Sequence, residues 1–338
     1  MAYDNLCKID LHLHLDGSVK PQTLWELAKE QHIAAPRETL SEYLEYLNIK
    51  RHCGSVNEYL EMFDLPVDVM QDEESLCRIT KELIELLYSQ GLCYAEIRFA
   101  PQLHTKKDLS QAQAVEAVLR GREQALKSCP GFEVGILLCM MCIGDDKVNW
   151  EENAETVEVC RRYLGHGVAG LDLAGAEGIV PLKNFAPLFL RAKELKIPCT
   201  CHAGDSQGAD TVRDAMDFGA KRIGHGHHII EDTALVERAI RDGISIEVCP
   251  SSNIQCLTQS SYETHPAKKL LDMGLNVTIN TDNMCFAGVS LQDEYDHCLK
   301  DMGFKEADLV KMSENSIKAA FMPPELKEKL LLRLHSLN

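Results

Sequence analysis

The sequence predicts a (β/α)8 barrel of the TIM type, with extra helices capping the C-terminal mouth. Eight short apolar runs alternate with longer amphipathic stretches, the pattern of a parallel sheet wrapped by helices. Most of the runs are rich in Ile, Val, Leu or Cys without a break, as strands buried on both faces are. Polar residues suited to chemistry gather at the C-terminal ends of several runs, where barrels keep their sites. A doubly wound open sheet is the alternative topology, but no run is followed by a full G-x-G-x-x-G.

The candidate strands are Lys8–His14, Leu92–Phe99, Glu133–Met140, Val168–Ala174, Ile197–His202, Arg222–His225, Ile244–Val248 and Leu275–Asn280. Between them, Leu109–Lys127 reads as a helix with Asp108 as its cap, and Asn184–Leu195 and Asp232–Asp242 carry apolar residues three and four apart. Gly243 and Gly274 stand just before strands, as helix-ending glycines do. Asp72-Glu73-Glu74 reads as a helix start rather than a calcium loop. The connection from 15 to 91 is too long for one helix and predicts several small ones over the mouth. No stretch rich in Pro, Gly or Ser divides the chain, so residues 1–338 are expected to form one domain.

Composition narrows the function. Lys+Arg number 35 and Asp+Glu 52, a formal charge of −17, which argues against a nucleic-acid or anionic-membrane surface. Hydrophobic residues make up 45%, enough for a large core. No apolar run approaches the roughly 20 residues that span a bilayer. Met-Ala-Tyr-Asp-Asn-Leu lacks the layout of a secretory signal, so a cytoplasmic location is expected. The 14 cysteines lie mostly in apolar runs and read as reduced thiols; the single C-x-x-C, Cys139 to Cys142, has no second pair at zinc-finger spacing.

The chemistry sits at the strand ends. The first run closes with His12-Leu13-His14, and residues two apart on a strand point the same way, here into the barrel mouth. Such a pair alone is as well explained by packing. Three more ends change that: His202-Ala203-Gly204-Asp205, Gly224-His225-Gly226 and Asn280-Thr281-Asp282-Asn283. In a barrel these converge, and His12, His14, His202 and Asp282 then offer nitrogen and oxygen ligands for Zn2+ or a neighbouring divalent ion. His225 and Asp205 remain beside it as acid/base groups. A cation with an exchangeable water is a hydrolytic device, because it lowers the pKa of that water. The fourth run ends Asp172-Leu173-Ala174-Gly175 with no lysine to bridge a second metal, so one ion per chain is expected.

The order H-x-H, D-L-A-G, H-A-G, G-H-G, C-P-x-S-N and T-D-N resembles the adenosine deaminases of the amidohydrolase superfamily. The matching segments are His12–Ser18, Tyr94–Pro101, Leu171–Gly178, His202–Asp205, Ile223–His227, Cys249–Asn253 and Asn280–Asn283, and the likeness spans roughly residues 6 to 335. The H-x-E…P-C-x-x-C signature of cytidine-type deaminases is absent. The resemblance implies zinc ligands at His12, His14, His202 and Asp282. It implies proton delivery to purine N1 by Asp205, and orientation and deprotonation of the metal-bound water by His225. Ribose contact falls on Asp16 with His14 nearby, a backbone N–H contact to the purine on Gly175, and the purine N7 contact on Asn283. The implied partner is a small purine nucleoside, with no nucleic acid and no membrane.

Two positions depart from the family. Asp205 stands where Glu is usual, and a carboxyl drawn back by roughly 1.5 Å would cost on the order of a hundredfold in rate unless the backbone of a flexible Asp205–Gly208 loop restores its reach. Asn283 stands where animal members have a second aspartate; an amide donates to purine N7 at any pH. Alternatives are a related deaminase of adenine or of a modified adenosine or AMP, and a catalytically impaired purine-binding protein. His14–Gly17 (H-L-D-G) favours a free ribose, and no Lys/Arg cluster near the motifs offers a 5′-phosphate cradle. His227 and His228 are read as loop residues, and Arg98 and His104 as holding charge and packing near the mouth. Ser251-Ser252-Asn253 either hydrogen-bonds the active-site network or simply forms a turn.

Overall fold

A computed structural model describes residues 6–51, 61–144 and 149–336. All eight expected strands are present: β1 Lys8–His14, β2 Leu92–Phe99, β3 Glu133–Cys142, β4 Val168–Gly175, β5 Thr200–Ala203, β6 Arg222–His225, β7 Ser245–Val248 and β8 Asn276–Ile279. Every pairing is parallel, in the orders β1-β2-β3-β4 and β5-β6-β7-β8. Single parallel bridges, Leu171 to Cys199 and Leu13 to Asp282, join the two halves into a ring. At the second seam His14 N–H donates to Asp282 O and Asp282 N–H to His12 O, both at 2.8 Å. The ladder therefore fixes the eighth strand end beside the first. β5 is shorter than its apolar run, because Ile197 leads into the strand and Cys199 pairs only through its single bridge to Leu171.

Local chemistry explains the helices. Asp72 caps the helix Glu73–Ser89 through Ser75 N–H at 2.9 Å, and Leu76, Ile79, Leu83 and Leu87 line its buried face at helical spacing. The helix after β2 begins later than expected. Ser110, not Asp108, caps Gln111–Leu126 in a capping box with Gln113, and Asp108 lies in the left-handed region at φ 67°. Gly243 and Gly274 end their helices at φ 68° and 95°. The segment after β1 forms the helices Pro21–Glu30, Leu40–Lys50 and Asp64–Val69 before Glu73–Ser89, with residues 52–60 outside the described ones. Arg51 reaches from it to the carbonyls of Cys285 and Phe286, which ties the cap to the loop after β8. The helices Glu306–Ala319 and Pro324–Ser336 close the opposite end, packing Ile317, Leu330 and Leu334 on Cys7, Ile9 and Cys93. No helix among the described residues is long and apolar enough to cross a membrane.

The barrel interior is unusual. Where branched aliphatic layers are the rule, Glu96, Arg98, Asp172, Arg222 and Glu247 are all buried in ion pairs. Buried pairs of this kind contribute little net stability over apolar packing, so their presence points to a role in the site above them.

Candidate metal centre and acid site

Strand alternation brings the expected histidines together. His12 and His202 have ring centroids 4.6 Å apart, His12 and His225 4.8 Å, and His14 and His202 5.3 Å. Gly224 makes this approach feasible: a Cβ there would lie 2.9 Å from His12 Cε1, so any side chain at this position displaces the ring. His225, which ends β6, and Asp282, three residues past β8, lie in the left-handed region, both at φ 58°, a conformation that costs of order 1–3 kcal/mol in a non-glycine residue and clusters at working sites.

Hydrogen bonds aim the nitrogens. His12 Nδ1 faces Glu247 Oε2 at 2.9 Å, and His202 Nδ1 faces Asp172 Oδ2 at 3.1 Å. A carboxylate accepts only, so both rings carry their proton on Nδ1 and leave Nε2 bare. His12 Nε2 is buried without a hydrogen-bond partner, an arrangement that calls for a ligand. Asp282 Oδ1 lies 3.6 Å from His12 Nε2 and 3.3 Å from His14 Nε2, while its Oδ2 accepts from Ser252 Oγ at 2.5 Å. Burial alone would raise Asp282, but His12, His14 and His225 around it hold it well below the usual carboxylate range. Burial likewise drives His14 well below its ordinary value, toward the neutral form that ligates metal. Donor atoms of His12, His14 and Asp282 lie within 4.8 Å of one another, as do those of His12, His202 and His225. Arg98 pairs with Asp172 and Glu247, and Arg222 with Glu96 and Glu247, while Asp282 faces the histidines. The donor set fits Zn2+ or a close neighbour.

Asp205 meets this cluster through His225, with its Oδ1 3.7 Å from His225 Nδ1. The loop carrying it is not slack. Glu177 accepts from the backbone N–H groups of Gly204, Asp205, Ser206 and Gln207 at 2.6–3.1 Å, and from Thr211 Oγ1. The Asp205 carboxyl is held as well: Asn253 Nδ2 and Thr258 Oγ1 both donate to Oδ1, at 2.8 and 2.9 Å. One further chain fixes Asn253. Ala267 N–H donates to His265 Nδ1, so His265 donates from Nε2 to Asn253 Oδ1, and the Asn253 amide nitrogen turns to Asp205 and to His225 Nδ1. His225 is thereby a hydrogen-bond acceptor at Nδ1, with Nε2 as its remaining nitrogen.

The other expected contacts lie on the cap side. Asp16 opens a short 3-10 turn, Asp16–Ser18, and burial pushes its carboxyl up to about 6. The next residue, Gly17, packs so closely on Asn283 that a Cβ would collide with the amide, and Asn283 Oδ1 is buried without a partner. Gly175 ends β4 at the rim of a cavity of about 270 Å3 that also touches His202. Sequence reasoning missed Glu177, Glu247, Thr258 and His265. Glu247 had a readable signal, a lone charge inside the apolar run Ile244–Val248.

Comparison with known proteins agrees with this arrangement. The sequence profile of the family described as adenosine deaminase matches residues 7–337. The chain belongs to the adenosine deaminase family. Adenosine deaminase of Haemophilus ducreyi is 39% identical over 329 residues, covering 96% of this chain and 95% of that protein. The Clostridium acetobutylicum adenosine deaminase is 35% identical over 331 residues, covering 98% and 97%. Among solved structures, adenine deaminase from Arthrobacter aurescens superposes with a TM-score of 0.87 at 26% identity over 98% of both chains. An arabidopsis N6-mAMP deaminase gives 0.84 at 25% identity, again over 98% of both. As a family member the chain is a hydrolase of the amidohydrolase type on a parallel barrel.

Proposed function

We propose that the chain is a single-domain, zinc-dependent adenosine deaminase, converting adenosine and 2′-deoxyadenosine with one water to inosine or 2′-deoxyinosine and ammonia. The observation that carries this reading is the convergence of His12, His14, His202 and Asp282 beside a separately held acid, Asp205. These four would hold the one ion. A bound divalent cation supplies Lewis acidity, acidifying water and polarising the carbon under attack.

The chain's own groups do the remaining work. Asp205 has Oδ1 occupied by two donors, so its transferable proton sits on Oδ2, from which it goes to purine N1. Asp282 and His225 take up the proton lost by the attacking water and pass it to the amino group, which leaves as ammonia when the C6–N bond breaks; the remaining proton on the C6 oxygen restores Asp205. Asp16 and His14 meet the ribose, Gly175 N–H the purine ring, and the Asn283 amide donates to N7. The free thiols of every cysteine among the described residues fit a reducing, cytoplasmic setting.

A steady-state assay of the purified protein, following the absorbance lost as a 6-aminopurine becomes a 6-oxopurine, tests the substrate. Adenosine should turn over with kcat/KM at least a hundredfold above adenine and AMP. Preference for adenine or AMP would overturn the assignment, and no turnover of any of them would favour an impaired purine binder. Stripping with a chelator should abolish the rate and Zn2+ should restore it; a chelator-insensitive rate refutes the metal.

A further inference from the structure

We propose that Arg98 is the positioning residue that sets how tightly the centre binds its metal ion, by holding the two carboxylates that orient His12 and His202. The inference rests on the metal-dependent reading above. Arg98 Nη1 donates to Asp172 Oδ2 at 2.8 Å, and Nη2 donates to Glu247 Oε2 at 2.8 Å and to the Leu11 carbonyl at 2.7 Å. Each acceptor is one step from a metal-facing ring. Asp172 holds His202 Nδ1, Glu247 holds His12 Nδ1, and Leu11 is the residue before His12. One rigid, fully buried guanidinium thus braces β1, β4 and β7 at the level just below the histidines.

Arg222, the other buried cation, does not do this. It pairs with Glu96 and with the other oxygen of Glu247, stacks 3.9 Å from the Phe321 ring, and faces the closed end of the barrel. Among the described residues, Arg98 alone joins both histidine-orienting carboxylates. Losing the carboxylate behind a metal-ligating histidine commonly weakens metal binding 10–100-fold; here a single side chain stands behind two such pairs.

The test measures Zn2+ affinity of metal-stripped protein by competition with a chromophoric chelator, for wild type, Arg98→Lys and Arg98→Met. Thermal unfolding and circular dichroism of the stripped proteins establish that each is folded. Arg98→Met leaves Asp172 without its cation and Glu247 with Arg222 alone, so Arg98→Lys, which keeps the charge but loses the fork, is the deciding variant. Arg98→Lys should bind Zn2+ about tenfold more weakly than wild type, and a folded Arg98→Met about a hundredfold more weakly. Nitrogen-15 spectra of the histidine rings should show the proton on Nδ1 of His12 and His202 in stripped wild type and a mixture of tautomers in Arg98→Lys. Wild-type affinity in folded Arg98→Lys overturns the proposal while leaving the metal reading intact. Failure of wild type itself to bind one Zn2+ overturns both.

Discussion

Replacing Glu177 by Gln tests whether Asp205, the acid in the loop after β5, is positioned from outside the barrel. In the wild type, the Glu177 carboxylate accepts from four successive backbone N–H groups, Gly204 at 2.6 Å, Asp205 at 3.0 Å, Ser206 at 2.8 Å and Gln207 at 3.1 Å. Glutamine has the same shape, but one of its two terminal atoms donates instead of accepting, so half of the cradle faces a donor. Gly204 and Thr211 donate to Oε1, and Asp205, Ser206 and Gln207 to Oε2, so the amide nitrogen takes the Oε1 place; buried Gly204 then keeps only its 2.9 Å bond to Thr211 Oγ1, and the other three amides meet a neutral oxygen instead of a charged one. Hydrogen bonds to charged groups contribute about 1.5–3 kcal/mol each, so the held form of the loop should lose about 2–4 kcal/mol. At about 1.4 kcal/mol per tenfold, hydrogen exchange of the Gly204 and Asp205 amides should accelerate roughly 30- to 1,000-fold. A displacement of the Asp205 carboxyl by about 1 Å costs on the order of a hundredfold in rate, so kcat on adenosine should fall 10- to 100-fold with a smaller change in KM. Wild-type exchange together with wild-type kcat in the Gln variant would refute the reasoning.

Three further outcomes are expected. Asp205→Asn keeps the size of the side chain and removes its proton, so kcat should drop by about 10²–10⁴ while Zn2+ content stays at one per chain; full activity would show that N1 is protonated from elsewhere. Gly224→Ala drives a methyl group to 2.9 Å from His12 Cε1, and the protein should fold but purify with substoichiometric metal by elemental analysis, a result that full occupancy would contradict. Glu294 is fully buried, and burial pushes its carboxyl up to about 8 from 4.5. The folded state therefore binds this proton more tightly than the unfolded chain, and the contribution, complete below about pH 4.5, falls by about 1.4 kcal/mol per pH unit as pH rises toward 8. Glu294→Gln cannot ionise, so its melting temperature should exceed wild type by more at pH 8 than at pH 5, and an equal offset at both would show that Glu294 is not buried as a neutral acid.

The acid loop shows where a sequence stops being legible. Asp205-Ser206-Gln207-Gly208 reads as small, polar and pliable, yet four of its neighbouring amides are gathered by Glu177, 27 residues upstream of Gly204 in the sequence. A partner that distant has no local signature. The same holds for Asn253, which was equally well a turn-former or a network residue. It proves to be a network residue, lying in the short helix Pro250–Gln255 rather than in a turn and donating to Asp205 and His225.

The sequence by itself determined the eight strands, their burial on both faces and the placing of His12, His14, His202, His225 and Asp282 at strand ends. These follow from short-range rules: apolar runs of strand length, the period of two along a strand, and glycines that end helices. Only the tertiary structure decided which carboxylates face the Nδ1 atoms of His12 and His202 and which oxygen of Asp205 is held by Asn253 and Thr258. It also turned Arg98 from a residue holding charge and packing near the mouth into the brace between two particular carboxylates. Orientation of this kind depends on hydrogen-bond partners from other strands, brought within 3 Å by closure of the ring. Their identity is written in the sequence, but their geometry arises only when the barrel closes.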